Sequence, residues 1–220
     1  MSSERVVDQF LALSRIETRL ALGVKSLHIF LDSVSIAKIK QCLLRAEDIT
    51  DLELILNRTP MAGWMCLLRG IRFPSLRYFR SNAPHSIVAS FLARHPCLAY
   101  ISVERCNKIK RACPLETISL PKVSDVTGPI ACISSIVANK SLVYVAASCD
   151  SQRDLSISMP NFTTRLAPSI TRLSLPFDAV DLHFVRHIAT AMPSLIALYL
   201  REKPGQQQVG VSDIISSVWH

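Results

Sequence analysis

The segment ITDLEL (residues 49–54) places apolar side chains at its first, fourth and sixth positions, which are Ile49, Leu52 and Leu54. Seven other segments are apolar at the first and fourth positions and small or apolar at the sixth. They are VKSLHI (24–29), LRYFRS (76–81), LAYISV (98–103), LETISL (115–120), LVYVAA (142–147), ITRLSL (170–175) and LIALYL (195–200). Their fourth positions follow one another at 25, 27, 22, 17, 27, 28 and 25 residues. Such a recurring interval is typical of a protein built from structural repeats.

The interval and the spacing of apolar residues together are those of leucine-rich repeats. Each repeat is expected to supply one strand and, where its length allows, a returning helix. The sequence therefore predicts an α/β leucine-rich-repeat solenoid of about eight repeats, with a curved parallel sheet inside and helices on the convex side. One domain over residues 1–220 is expected, with an N-terminal helical cap (1–23), the repeats (24–202) and a C-terminal tail and helix (203–220).

Proline and helical periodicity support the same repeats. The segments beginning at Leu76, Leu98, Leu115 and Leu195 each follow a proline by one or two positions, and proline both ends a helix and favours an extended chain before it. Between the strands, apolar residues at helical spacing predict four helical faces. These faces are Ile36/Ile39/Leu43/Leu44, Ile87/Val88/Phe91/Leu92, Ile130/Ile133/Val137 and Leu182/Val185/Ile188/Ala189. The 17-residue step before Ile118 leaves no room for a helix and predicts a tight loop over residues 105–111.

Composition limits the class of protein. Apolar residues make up 49% of the chain and charged residues 19%, as expected where parallel strands are buried on both faces. The longest uncharged stretch of the most apolar region, residues 126–139, is too short for a membrane-spanning helix, which needs about 20 residues. No secretory signal is visible, because Arg15, Glu17 and Arg19 interrupt the apolar N-terminal stretch. Seven scattered cysteines fit a reducing compartment, and the expected location is cytoplasmic or nuclear.

The sequence offers no catalytic constellation, and we predict neither enzymatic activity nor a cofactor. His183 and His187 are spaced like two zinc ligands on a helix, but Phe184 stands where a metalloprotease needs glutamate and no third ligand is evident. Cys106 and Cys113 have no partner pair, so no metal site is predicted. A net charge of +8 permits attraction to acidic partners. The basic segment 105–111 has three alternative interpretations. The preferred one is a solvated turn, the second is a docking point for an acidic protein surface, and the third is a nuclear-import or nucleic-acid contact.

The predicted strands place two rows of side chains on the open face of the sheet, because residues on either side of each buried leucine point away from it. One row is His28, Glu53, Arg80, Ser102, Ser119, Ala146, Ser174 and Tyr199. The other is Ser26, Asp51, Tyr78, Tyr100, Thr117, Tyr144, Arg172 and Ala197. All four tyrosines of the protein lie in these rows, and tyrosine and arginine are favoured anchors of protein interfaces. The predicted partner-binding residues are Tyr78, Arg80, Tyr100, Ser102, Tyr144, Arg172 and Tyr199, on a concave face that binds a protein partner.

The phrases FPSLRYF (73–79), FLARHPCL (91–98) and AMPSLIALYL (191–200) resemble the leucine-rich-repeat portion of fungal F-box-like proteins. The resemblance implies repeats that capture a substrate for an F-box-type ubiquitin ligase. It implies a Skp-type adaptor as partner only where an F-box lies upstream, since residues 1–23 lack a recognisable F-box opening and are too short for that module. The function predicted is protein recognition. A stand-alone repeat scaffold is the alternative, followed by a basic protein associated with nucleic acid.

Overall fold

A computed structural model of the chain describes residues 3–32, 35–104, 113–136, 142–148, 169–177 and 182–202. The helices are α1 Ser3–Ile16, α2 Thr18–Leu22, α3 Ile36–Arg45, α4 Met61–Leu68, α5 His85–Leu92, α6 Ile130–Ile136 and α7 Leu182–Ala191, with a short 3-10 helix at Pro114–Thr117. The strands are β1 Ser26–Leu31, β2 Asp51–Leu56, β3 Tyr78–Ser81, β4 Tyr100–Val103, β5 Asp125–Pro129, β6 Tyr144–Ser148, β7 Arg172–Phe177 and β8 Ala197–Glu202.

The chain forms two compact units, a first over Met1–Val126 and a second over Thr127–His220. In the first unit β1, β2, β3 and β4 pair side by side, all parallel. In the second unit β6, β7 and β8 do the same. The strands are ordered as they occur in the chain, with helices between them, and the predicted α/β leucine-rich-repeat fold is confirmed.

A recurring backbone arrangement sets the register of these strands. The carbonyl of Lys25 accepts hydrogen bonds from the N–H groups of both Thr50 and Asp51, and the carbonyl of Thr50 accepts from Arg77 and Tyr78. The same double acceptance recurs at four later carbonyls, those of Arg77, Ala99, Val143 and Thr171. Strands β2 to β5, β7 and β8 therefore begin with the same geometry, and equivalent positions of paired strands lie side by side. The register confirms LRYFRS as the third repeat, because Phe79 pairs with Leu52 and Ile101.

In the inner repeats, the buried side chains are those that the repeat pattern predicts. Leu52, Phe79 and Ile101 in the first unit are fully buried, as are Val145 and Leu173 in the second. The helices bury their predicted apolar faces in α3 and α5, and in the first unit α3 contacts α4 and α4 contacts α5. The expectation for Leu44 is wrong: it lies on the outer side of α3 and is 50% exposed.

The fifth strand is not where the sequence pattern placed it. The predicted segment LETISL (115–120) begins in the 3-10 helix, which Pro114 starts, and β5 lies further on at Asp125–Pro129. The N–H groups of Ser124 and Asp125 both donate to the carbonyl of Ala99, so Asp125 occupies the position that Thr117 was expected to hold. The supposed 17-residue step and the row positions of Thr117 and Ser119 are therefore wrong. The repeat was missed because LETISL matches the apolar pattern as well as the segment VSDVTG (123–128) does.

A turn containing proline precedes β3, β4, β5 and β8. In each turn an N–H donates to the carbonyl three residues earlier; the pairs are Leu76 to Phe73, Leu98 to His95, Val123 to Leu120 and Leu195 to Met192. The second residue of each turn is a proline, the third turn containing Pro121. Pro121 was thus the signal in the sequence for the fifth strand.

His95 fills the first position of one such turn and is buried. Its Nε2 accepts a hydrogen bond from the N–H of Phe73, 3.0 Å away, and its Nδ1 donates to the carbonyl of Phe91 at 2.7 Å. Burial lowers the pKa of His95 below its usual 6.5. The hydrogen bond to the Phe91 carbonyl raises this pKa in part, and repulsion from Arg94 and Arg72 lowers it further. The His-Pro step of the FLARHPCL phrase is therefore a structural tie between two repeats.

Several predicted features lie outside the described residues: the basic segment 105–111, the tail 203–220 and Val137 of the third helical face. The side chain of His183 is likewise not described, so the two-histidine spacing stays a sequence observation. Within the described part of the chain, none of the helices combines the length and apolar character required to cross a bilayer.

Candidate functional site

Two rows of side chains define the open strand face of the first unit, which we call the row face. The tyrosine row runs across β1 to β5 and consists of Ser26, Asp51, Tyr78, Tyr100 and Asp125. The ion-pair row runs beside it across β1 to β4 and consists of His28, Glu53, Arg80 and Ser102. Parallel pairing in register brings each of these residues beside its neighbours in the row.

At the centre of the tyrosine row, the rings of Tyr78 and Tyr100 stack. Their centroids are 4.5 Å apart and their planes are 6° from parallel. The separation of the rings is close to the spacing between neighbouring strands, about 4.8 Å, so the stack is built by the register itself. Partial burial, followed by the neighbouring Tyr100 and Glu53, raises the pKa of the Tyr78 phenol, which therefore stays neutral at physiological pH.

An aspartate stands on either side of the tyrosine pair. Oδ2 of Asp51 accepts hydrogen bonds from the hydroxyls of Thr50 at 2.6 Å and Ser26 at 3.2 Å. Oδ2 of Asp125 accepts from the hydroxyl of Ser124 at 2.5 Å. Hydroxyl donors orient a carboxylate without neutralising it, so the pair of rings lies between two fixed negative charges.

Glu53 holds the ion-pair row together. One of its oxygens lies 2.9 Å from Nδ1 of His28 and the other 2.7 Å from a guanidinium nitrogen of Arg80. The Glu53 side chain is only 7% exposed, whereas those of His28 and Arg80 are 49% and 42% exposed. Glu53 is therefore a buried carboxylate held between two half-exposed partners.

The second unit has a different strand face. Tyr144 pairs in register with Arg172, whose guanidinium carbon lies 5.4 Å from the centre of the Tyr144 ring. The neighbouring row contains Ala146 and Ser174, both buried, and Tyr199, which is 53% exposed. This face therefore presents a tyrosine already covered by a cation of the same unit.

Most of the predicted partner-binding residues lie where the rows placed them. Tyr78, Tyr100 and Arg80 share the row face, while Tyr144, Arg172 and Tyr199 lie on the strand face of the second unit. Ser102 is also in its predicted row but is 6% exposed, which leaves little surface for a partner. Asp51 and Asp125 were not among the predicted residues. Asp51 was visible in the row, whereas Asp125 became a row residue only once the fifth strand was located.

A buried histidine–cysteine pair was not predicted either. Nδ1 of His85 lies 3.2 Å from Sγ of Cys113, and its Nε2 lies 3.0 Å from the carbonyl oxygen of Glu104. A thiol beside an imidazole is an arrangement used by nucleophilic enzymes. Here both side chains are buried, at 3% and 8% exposure, so a substrate has no access to the sulfur and the pair serves packing.

Comparison with known proteins supports the fold. No protein family and no curated protein matches the chain. Among solved structures, the leucine-rich-repeat-containing protein LegL7 from Legionella pneumophila aligns with 92% of this chain and 72% of its own, at 13% identity and a TM-score of 0.58. The tropomodulin C-terminal domain from Caenorhabditis elegans aligns with 86% of this chain and 92% of its own, at 12% identity and a TM-score of 0.32. The likeness to LegL7 shows a leucine-rich-repeat fold.

Proposed function

We propose that the chain is a protein-recognition module that binds its partner through the row face of the first unit. The leucine-rich-repeat fold is itself suited to this role, because repeat proteins present extended surfaces to other proteins. The observation that carries the proposal is the stacked Tyr78–Tyr100 pair, partly exposed at the centre of the face. Paired rings add large contact area at low cost in side-chain entropy, and tyrosine is frequent among the residues that dominate binding energy.

The rigidity of the row face supports the same role. Glu53 fixes Arg80, and the hydroxyls of Ser26, Thr50 and Ser124 fix the two aspartates. A surface whose side chains are already held loses less conformational entropy when a partner binds. We therefore expect recognition with little rearrangement of these residues.

At a finer level, we propose that the module captures substrates for an F-box-type ubiquitin ligase, in the cytoplasm or nucleus and without catalytic activity of its own. The support is the resemblance of three phrases to fungal F-box-like repeats, which is an argument from analogy. A stand-alone scaffold without a ligase link is the alternative. Pull-down of the full-length gene product with a purified Skp-type adaptor separates the two: binding supports the ligase role, and its absence removes that role while leaving protein recognition intact.

Partner capture from cells by the chain and by its Tyr78→Ala/Tyr100→Ala variant tests the recognition role itself. We expect the variant to lose partner binding while its melting temperature changes little, because both rings are only partly buried. A loss of thermal stability as large as the loss of binding would show that the rings belong to the core, and unchanged capture would contradict the proposal.

A further inference from the structure

We propose that the tyrosine row of the first unit binds a basic peptide segment, with one cationic side chain between Asp51 and Tyr78 and a second between Tyr100 and Asp125. This inference rests on the proposed protein-recognition role and names the chemistry of its partner. It is carried by the order of the four residues along the row and by an internal parallel in the second unit.

The order of residues creates two equivalent cation positions. Because the Tyr78 and Tyr100 rings are nearly parallel and separated by about one strand spacing, the outer face of each ring is turned toward the next strand. That strand carries Asp51 beside Tyr78 and Asp125 beside Tyr100. An arginine or lysine placed on either outer face would contact the negative face of an aromatic ring and lie near a carboxylate at the same time.

The second unit shows what this position accepts. There the residue beside the tyrosine in the row is not an aspartate but Arg172, and its guanidinium lies over the Tyr144 ring. The ring, the parallel register and the position in the row are the same. The first unit thus offers an external cation the environment that Tyr144 gives to Arg172.

The neighbouring charges favour a cation on this row. Within the described residues, Asp51 has no ion pair, whereas the nearby Lys25 is paired with Asp48 at 3.2 Å and Arg80 with Glu53 at 2.7 Å. Arg77 is exposed immediately before β3, and its positive charge partly offsets the attraction of a cation to Asp51. The chain as a whole is basic, with a net charge of +8, but charges further away than about 8 Å are largely screened at physiological salt.

The spacing of the two positions specifies the peptide. One cation position lies between β2 and β3 and the other between β4 and β5, so the two are two strand spacings apart, about 10 Å at roughly 4.8 Å per strand. An extended peptide advances about 3.3 Å per residue, and only side chains at even spacings point to the same side. Side chains four residues apart start about 13 Å apart, a difference that long arginine side chains can close, and they leave the side chain at i+2 free to lie over the rings. We therefore expect cationic residues at i and i+4, with an apolar side chain at i+2 over the edges of the stacked rings.

The test is binding of dye-labelled Gly/Ser peptides to the full chain, measured by fluorescence anisotropy at about 0.15 M salt, where local charges dominate. The probe peptide contains arginines at i and i+4 and a leucine at i+2. Control peptides place the arginines at i and i+3 or replace both by glutamine. We expect the probe to bind most tightly, the i, i+3 peptide about threefold less tightly and the glutamine peptide at least tenfold less tightly, as two exposed ion pairs with ring contacts would give.

The protein variant is Asp51→Asn/Asp125→Asn, which keeps shape and removes both charges. We expect about a tenfold loss of affinity for the probe peptide. Asp48→Asn is the matched control, because Asp48 is an exposed aspartate of the same unit that lies off the row and pairs with Lys25; affinity should stay within about twofold. Thermal melts establish that each variant is folded.

Equal binding of the arginine and glutamine peptides, or equal losses in the two asparagine variants, would overturn the cation-binding inference. Tighter binding by acidic peptides or single-stranded RNA, strengthened in Asp51→Asn/Asp125→Asn, would overturn it in favour of a different partner. These outcomes are distinct from failure of the proposed function. If partner capture depends on the rings but not on the aspartates, the recognition role is supported and the cation inference is wrong. If capture depends on the aspartates but not on the rings, recognition through the rings is wrong.

Discussion

The two units use the same register to surround a tyrosine with different neighbours. In the first unit Tyr78 stacks on Tyr100, and aspartates lie beyond both rings. In the second unit Tyr144 lies beside Arg172, which covers its ring. Because the backbone geometry of the repeats is shared, the difference comes from one side chain per strand. The residue that the next strand supplies therefore decides whether a row tyrosine lies beside a ring, a carboxylate or a cation.

The adjacent row shows the same contrast. His28, Glu53 and Arg80 form a charged group across three strands of the first unit. The second unit has Ala146, Ser174 and Tyr199 in the corresponding row. The first unit thus concentrates oriented charge beside its tyrosines, and the second does not. Substitutions in both units test whether their differences have functional and energetic consequences.

The largest expected effect concerns the rings. Tyr78→Ala/Tyr100→Ala should weaken binding of the arginine probe peptide by about 30-fold, which corresponds to a hot spot of about 2 kcal/mol. Tyr144→Ala should weaken it by less than about threefold, since that ring is occupied by Arg172. Isothermal titration calorimetry gives both values. Tyr78→Phe/Tyr100→Phe, which keeps the rings, should bind almost as well as the original chain; equal losses for the two units would abolish the distinction between them.

The ion-pair row should matter for stability. Glu53→Ala is expected to lower the free energy of unfolding by about 2 kcal/mol, because it removes a buried carboxylate from two cationic or polar partners. The expected cost is below that of a fully buried pair, since Arg80 and His28 can turn to solvent. Urea denaturation measures it. Ser174→Ala, at the equivalent row of the second unit, serves as the control and should cost about 0.5 kcal/mol or less; a similar loss in both would mean that the charges add nothing.

The repeat pattern was sufficient for most of this architecture but not for its details. The spacing of Leu52, Leu54 and their equivalents predicted the parallel register, and hence which residues share a row, because one backbone geometry recurs in every repeat. It failed at β5, because LETISL (115–120) and VSDVTG (123–128) both match the pattern and both follow a proline. Only Pro121 stands two residues before its segment, as the prolines of the other turns do. The burial of Glu53 and the stacking of Tyr78 on Tyr100 depend on side-chain contacts between repeats, which a linear pattern does not contain. Asp125 could not be assigned to the site before its strand was located.

His95 and Met192 occupy the same position of the proline turn in the two units. We expect the effect of substituting His95 on the free energy of unfolding to depend on pH, and that of substituting Met192 to be independent of pH. His95→Met should cost about 1 kcal/mol near pH 7.5, since the buried N–H of Phe73 loses its acceptor. The pKa of His95 is lower in the folded state than in the unfolded state, so the unfolded state binds more protons as the pH falls below about 6.5. The stability that His95 contributes is therefore complete above that pH and is lost as the pH falls toward the folded-state pKa.

Urea denaturation at pH 7.5 and pH 5 measures this difference. The gap between the original chain and His95→Met should shrink at pH 5. Met192→Leu is the control in the second unit, and its effect should not change with pH because it alters no titratable group. A gap for His95→Met that is constant or grows in acid would show that the histidine does not serve as a neutral acceptor.

The smallest expected effect is a gain of function. Arg172→Asp gives Tyr144 the neighbour that Tyr78 has in the first unit. We expect the affinity of a peptide with a single arginine to rise about twofold, the size of one exposed ion pair with a ring contact, and the free energy of unfolding to change by less than about 1 kcal/mol. Arg172→Asn separates removal of the cation from addition of the carboxylate. No gain of Arg172→Asp over Arg172→Asn would show that an aspartate beside a tyrosine is not enough to make a cation site.

The four tyrosines of the chain permit the most direct test of the account, which holds that the ring pair of the first unit is the binding surface. With tyrosine-selective labelling, each ring resonance can be assigned by single substitution and followed by NMR as the arginine probe peptide is added. We predict that the resonances of Tyr78 and Tyr100 shift together and saturate at one dissociation constant, while those of Tyr144 and Tyr199 stay in place. Shifts confined to Tyr144 or Tyr199, or no shift at any ring, would contradict the account.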